Sequence, residues 1–178
     1  MKATDRSGLP GRFKTWCFQH GILPRILWPL LIYEVPMSTV EGLERKLTTY
    51  LRKWLGVPRS FSSVGLYGKE TKLLLPISSV SEEFKKGKAR LVMMLRDSSD
   101  SKVSEAKIQI KTGRKWRAAE AVEEAESRLR HRDVIGVTAK GRLGLGMLEQ
   151  QLWQKASDKE RRHLVQREIG HIYYIFAF

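Results

Sequence analysis

The stretch "VEGLERKLTTYLRKWLG", Val40 to Gly56, decides how the rest of the chain is read. Val40, Leu43, Leu47, Tyr50, Leu51, Trp54 and Leu55 recur at three- and four-residue steps, which gathers them into one stripe on an α-helix. Such a stripe must be buried. Arg45, Lys46, Arg52 and Lys53, with Thr49 among them, fall on the opposite side and offer water a strip of positive charge suited to an acidic partner. Ser38, three residues before Glu41, has the spacing of a capping box. Gly56 followed by Pro58 closes the helix, because glycine tolerates the left-handed closing conformation and proline cannot continue.

Outside this helix, composition sets the limits. A chain of 178 residues with 42% hydrophobic content is long enough for one domain or two small ones. The 33 Lys and Arg against 19 Asp and Glu leave a net charge of +14, an excess that favours nucleic acid or an anionic surface as partner. The most apolar run, Ile26 to Tyr33, is far shorter than the roughly 20 residues that span a bilayer and contains Pro29, so it reads as a core helix and not as a membrane segment. The N-terminus, with Asp5, Pro10 and two glycines, lacks the apolar centre of a signal peptide, and an intracellular location, cytoplasmic or nuclear, is expected. Cys17 is the only cysteine, which excludes an intrachain disulfide and a cysteine zinc knuckle; it reads as a buried thiol.

Along the chain, short helices are expected about Arg12 to His20 and Pro24 to Tyr33, before the long helix. A connector from residue 59 to 104 contains a Gly-, Ser- and Pro-punctuated part and then a helix opened by Ser79 and Glu82. That helix has Phe84, Leu91, Val92 and Leu95 on its apolar side and Lys85, Lys86, Lys88 and Arg90 on its first half. In "AKIQIK", Ala106, Ile108 and Ile110 alternate with Lys107, Gln109 and Lys111, which predicts a short half-buried strand. "WRAAEAVEEAESRLRHRD" then predicts a helix with Ala118, Val122, Ala125 and Leu129 on one face and arginines at its C-terminal end. "KGRLGLG", Lys140 to Gly146, matches no phosphate-loop spacing and reads as a connector. A further basic helix begins at Ser157, and the apolar "HIYYIFAF" from His171 onward departs from everything before it. The organisation is thus 1–58, 59–104, 105–170 and a tail, 171–178, in a mainly α fold with a minor β element.

No constellation for catalysis emerges. Asp97 and Asp100 lie in a serine-rich stretch and read as turn and capping groups. Glu82 with Glu83, and Glu123 with Glu124, are adjacent on helices and read as solvated faces. His20, His131, His163 and His171 lack the spacing of a zinc site. Asp158 and Glu160 echo a nuclease motif without its upstream acidic partner. No metal, cofactor or catalytic residue is therefore expected.

Three blocks in order, "LPGRFKTWCFQHGILPRILWPLLIYEVP", "STVEGLERKLTTYLRKWLGVPRSFSSVGLYG" and "TGRKWRAAEAVEEAESRLRH", resemble the region after the palm in LINE-type, non-LTR retrotransposon reverse transcriptases. The likeness runs from about Leu9 to Gly170 and is most specific from Trp28 to Gly68; the paired aspartates of the family's palm have no counterpart, and the tail looks like sequence beyond a truncation or splice. The resemblance implies a thumb-like helical bundle that holds primer and template. Its contacts would be phosphate contacts from Arg45, Lys46, Thr49, Arg52 and Lys53, with Lys85, Lys86 and Lys88 as further basic positions. The expected function is a non-catalytic nucleic-acid-binding fragment whose partners are RNA–DNA hybrid, RNA or DNA. Two alternatives stand beside it: part of an active RNA-directed DNA polymerase whose palm lies outside this chain, or a helical adaptor. In the last case, apolar faces left without a palm would bind another protein or a second copy.

Overall fold

Proline and glycine punctuate a succession of helices in the computed structural model, which describes residues 1–67, 77–130 and 156–175. In order these are α1 (Lys2–Arg6), α2 (Gly11–Cys17), a π turn (Phe18–Ile22), α3 (Leu23–Ile32), α4 (Met37–Leu55), α5 (Ser63–Tyr67), α6 (Val80–Arg96), α7 (Ser101–Glu105), α8 (Ala118–Arg130) and α9 (Asp158–Ile175). The fold is mainly α, and no strand occurs among the described residues. Lys140 to Gly146, His131, Trp153 and the end of the tail lie outside them.

The chain divides into two units. The first comprises Met1–Phe84 and Lys111–Trp116; the second comprises Lys85–Ile110 and Arg117–Ile175. In the first unit the α4 stripe is buried as its periodicity requires: Val40 and Leu51 are fully enclosed, with Met37, Leu47 and Trp54 beside them, and Leu43, Tyr50 and Leu55 at the margin. Against them pack Phe18 and Leu23 from the preceding helical run, then Leu66, Tyr67, Ile77, Val80 and Phe84. Each large apolar side chain so enclosed contributes about 1.5–3 kcal/mol. The unit runs past residue 58 because α5 and the start of α6 supply part of this core.

Two short helices were expected before α4, and the structure joins them. Pro24 has no N–H, and its ring would crowd the carbonyl four residues back, at His20. The backbone widens there: the Leu23 N–H donates to the Phe18 carbonyl, five residues back, and the helix continues through Pro24 and Pro29 to Ile32.

The ends of α4 divide the capping expectation. Its C-terminus closes at Gly56, φ 68°, whose N–H reaches the carbonyls of Arg52 and Lys53. Its N-terminus does not use Ser38. The helix begins at Met37 behind Pro36, and the Met37 N–H donates to the Thr112 carbonyl at 3.1 Å, while Glu41 accepts from Lys115 Nζ at 2.5 Å. The bond that opens the helix thus comes from a segment more than seventy residues later in the chain. On α6 the Ser79 hydroxyl does accept from the Glu82 N–H, at 3.2 Å.

The strand expected at Ala106 to Lys111 is absent. Ala106 to Gln109 are exposed, and Lys107 has φ 44°, outside the extended region. Alternation alone makes no strand without a neighbouring strand to complete its hydrogen bonds. The stretch instead ends in an anchor, where buried Thr112 donates from Oγ1 to the Trp116 carbonyl at 2.6 Å and Trp116 packs on Phe84.

In the second unit, Ala118, Val122, Ala125 and Leu129 of α8 are all buried, as their spacing predicts, together with Val165 and Ile169 of α9. The apolar side of α6 is turned from expectation: Ala89 and Met93 are enclosed, while Leu91, Val92 and Leu95 are half-buried.

Candidate nucleic-acid interface

The outward side of α4 carries the strip that the sequence singles out. Arg45, Lys46, Thr49 and Lys53 are exposed and Arg52 is half-buried. The strip is not uniformly available. Lys53 Nζ lies 2.9 Å from Asp5 Oδ2, and Trp54 Nε1 donates to Asp5 Oδ1 at 2.8 Å, so α1 is fastened to the C-terminal end of α4 through one carboxylate. The hydrogen bond from Lys53, then that from Trp54, holds the Asp5 carboxyl below its ordinary pKa. Arg52 turns toward α5, its Nη2 3.4 Å from Ser63 Oγ. The Thr49 hydroxyl donates to the Arg45 carbonyl at 3.1 Å, leaving its oxygen outward.

Acidic residues of α4 are withdrawn from the strip. Glu41 pairs with Lys115, and Glu44 is buried at 7% exposure on the core side. There Ser79 Oγ donates to the Glu44 carboxylate. The Thr48 hydroxyl donates to the Glu44 carbonyl at 2.8 Å and lies 2.7 Å from the Tyr67 hydroxyl. A polar network therefore runs through the otherwise apolar contact of α4 with α5 and the start of α6, and its members are mutually satisfied. Periodicity could not reveal it, since Glu44 and Thr48 read as ordinary polar interruptions.

Lys85, Lys86 and Lys88 belong to the second unit. Lys85 and Lys86 are half-buried, and Lys88, at 2% exposure, is enclosed beside Ala89. Lys88 is thereby removed from the set of phosphate contacts: it shares the helical side that packs inward, and its ammonium is out of reach of a large polyanion. Glu82 is likewise buried and not part of a solvated face.

Elsewhere in the second unit arginines gather around one carboxylate. Arg96 grips Glu126 with both terminal nitrogens, at 3.1 and 2.8 Å, and Arg130 reaches it at 3.3 Å. The guanidinium of Arg96 is held more firmly protonated by Glu126, and then by Asp97, than an ordinary arginine. A cleft of about 310 Å³ opens beside this pair, with Arg161, Arg162 and Asp158 on its wall. Nothing in the sequence marks Glu126 as an anchor, because it sits within a run of glutamates.

The remaining sequence candidates take structural roles. Asp100 caps α7 by accepting from the Lys102 N–H at 2.9 Å, and Asp97 pairs with Arg96. Glu160 accepts from the N–H and hydroxyl of Ser157, at 2.8 and 2.7 Å, which caps α9 and lowers the pKa of its carboxyl; the nuclease-like echo is a helix cap. Cys17 is half-buried, more open than the enclosed thiol expected, and exposed His20 lies against Trp16 with ring centres 4.9 Å apart. Among the described residues, no group of three or more His, Cys, Asp or Glu side chains is placed to hold a metal ion, and no helix is long and apolar enough to cross a membrane. The chain matches no protein-family model, no curated protein and no solved structure.

Proposed function

We propose that the chain is a nucleic-acid-binding module of the kind implied by its resemblance to non-LTR reverse transcriptase thumbs, and that it performs no chemistry on what it binds. The observation that carries this reading is the division of α4: an apolar side turned to the core, acidic residues drawn inward or paired, and an outward side of Arg45, Lys46, Thr49 and Lys53. Cations on a rigid helix backed by a core meet successive phosphates of a duplex without reading its sequence. Lys53 joins the contact by exchanging Asp5 for a phosphate: its own side chain is exposed, and half-buried Asp5 keeps the Trp54 indole as a partner. Hybrid RNA–DNA duplex is the partner proposed, with plain duplexes bound through the same phosphates. The test is binding of a labelled hybrid by the full chain and by its R45Q/K46Q variant. A clear loss of affinity in the variant is expected, and equal binding would remove α4 from the interface. With primer, template, nucleotides and magnesium, the purified chain is expected to incorporate nothing; synthesis proportional to protein would contradict the non-catalytic part of the proposal.

A further inference from the structure

A second face of the first unit departs from what a soluble core requires. Phe13, Trp16, His20, Pro24, Trp28 and Ile32 follow one another at steps of three or four residues, and every one is exposed. The last four-residue steps overshoot an α-helical turn, and the wider π turn takes up part of that drift, so the residues stay near one ridge along the helical run. Phe13 is 47% exposed, Trp16 56% and Trp28 69%. The run already has an inner face, with Thr15, Phe18 and Leu23 buried, so the outer rings are surplus to its packing. Aromatic surface left in water in this quantity marks a binding face.

Charge narrows the occupant. Between Asp5 and Glu34 the sequence contains Arg6, Arg12, Lys14 and Arg25 and no acidic residue. Arg12 and Arg25 are exposed beside the ridge, and the Arg12 guanidinium carbon lies 5.0 Å from the centre of the Phe13 ring. A second copy of the same face would bring arginines together with no carboxylate to meet them. Flat rings on a convex ridge, flanked by unopposed cations, fit an anionic chain with free aromatic faces. Paired bases do not offer such faces; unpaired bases do.

We infer that the outer ridge of Gly11 to Ile32 binds single-stranded nucleic acid, with bases stacking on Phe13, Trp16 and Trp28 and phosphates meeting Arg12 and Arg25. Trp16 and Trp28 are about 18 Å apart along the helix, room for several nucleotides. This inference uses none of the α4 residues and goes beyond the duplex contact proposed for them.

The test is anisotropy of labelled 12-nucleotide oligoadenylate titrated with the full chain, with heparin as a polyanion that has no bases. W16A/W28A is expected to weaken oligoadenylate binding by about tenfold or more, to leave heparin affinity unchanged, and to lose the quenching of tryptophan fluorescence by the oligonucleotide. W16F/W28F, which keeps flat rings, should restore most of the affinity. The α4 variant R45Q/K46Q should keep its dependence on Trp16 and Trp28, so a failed α4 interface and a failed ridge give different results. Unchanged oligoadenylate binding by W16A/W28A would overturn the inference. So would equal losses toward heparin, or abolition of self-association by the variant with single-strand binding intact, which would make the ridge a protein interface.

Discussion

α4 and the helical run from Gly11 to Ile32 belong to the same unit and share one core, yet they treat water differently. α4 turns its apolar stripe to the core, with Leu43, Tyr50 and Leu55 at the margin, and presents cations and a hydroxyl. The earlier run encloses Phe18 and Leu23 and leaves Trp16 and Trp28 outside. One helix is amphipathic in the ordinary sense; the other is apolar on two sides, and only one of them is used for folding. A helix apolar on both sides raises a question that an amphipathic one does not, namely what its second side meets.

The largest effects should separate those two sides. Phe18→Ala removes a fully enclosed ring and is expected to cost about 3–5 kcal/mol in chemical denaturation, whereas Trp28→Ala, at an exposed position, should change stability by no more than about 0.5 kcal/mol. A large loss from Trp28→Ala would mean the outer ridge belongs to the core and would break the comparison. Next in size is the contact between the two helices. A Cβ added at Gly11 would lie 1.6 Å from the Trp54 carbonyl oxygen, so Gly11→Ala must push α2 away from the end of α4, at a cost of about 1–3 kcal/mol. Gly42→Ala, with nothing within 4 Å of the added carbon, should instead stabilise α4 by about 0.5–1 kcal/mol. Melting temperatures moving in opposite directions would sharpen the assignment of the helix contact.

A comparable effect is expected from Glu44→Ala, which leaves the Ser79 hydroxyl and its surroundings short of a buried acceptor, at a cost of about 1–3 kcal/mol. The smallest concerns Asp5. Its carboxyl is held below its ordinary pKa in the folded chain, first by Lys53 and then by Trp54, so its contribution is complete above the unfolded pKa of about 3.9 and fades as pH falls through the lower folded value. The NMR titration midpoint of Asp5 should sit below the ordinary aspartate value, and Lys53→Gln should move it upward.

What the sequence could reveal follows from how local each interaction is. The α4 stripe and its closure at Gly56 rest on periodicity and on one glycine, and both were legible, as was the buried face of α8. The opening of α4 was not, because its first N–H is met by Thr112 and no local pattern announces a partner so distant. For the same reason the alternation at Ala106 to Lys111 misled: it describes a strand's side chains but not the neighbour a strand requires. Lys88 shows the limit for charges. Lys85 and Lys86 lie just before it in the sequence and stay half-buried, yet its position beside Ala89 on α6 turns it inward. The exposure of Trp16 and Trp28 was hidden because an aromatic residue at helical spacing reads as core whichever way it points.

The most direct measurement is the salt dependence of hybrid-duplex binding by the full chain and by R45Q/K46Q/K53Q. Log affinity should fall linearly with log salt, and the triple substitution, by removing up to three phosphate contacts, should flatten that slope by about 2–3. An unchanged slope and affinity in the variant would contradict the role assigned to the outward face of α4.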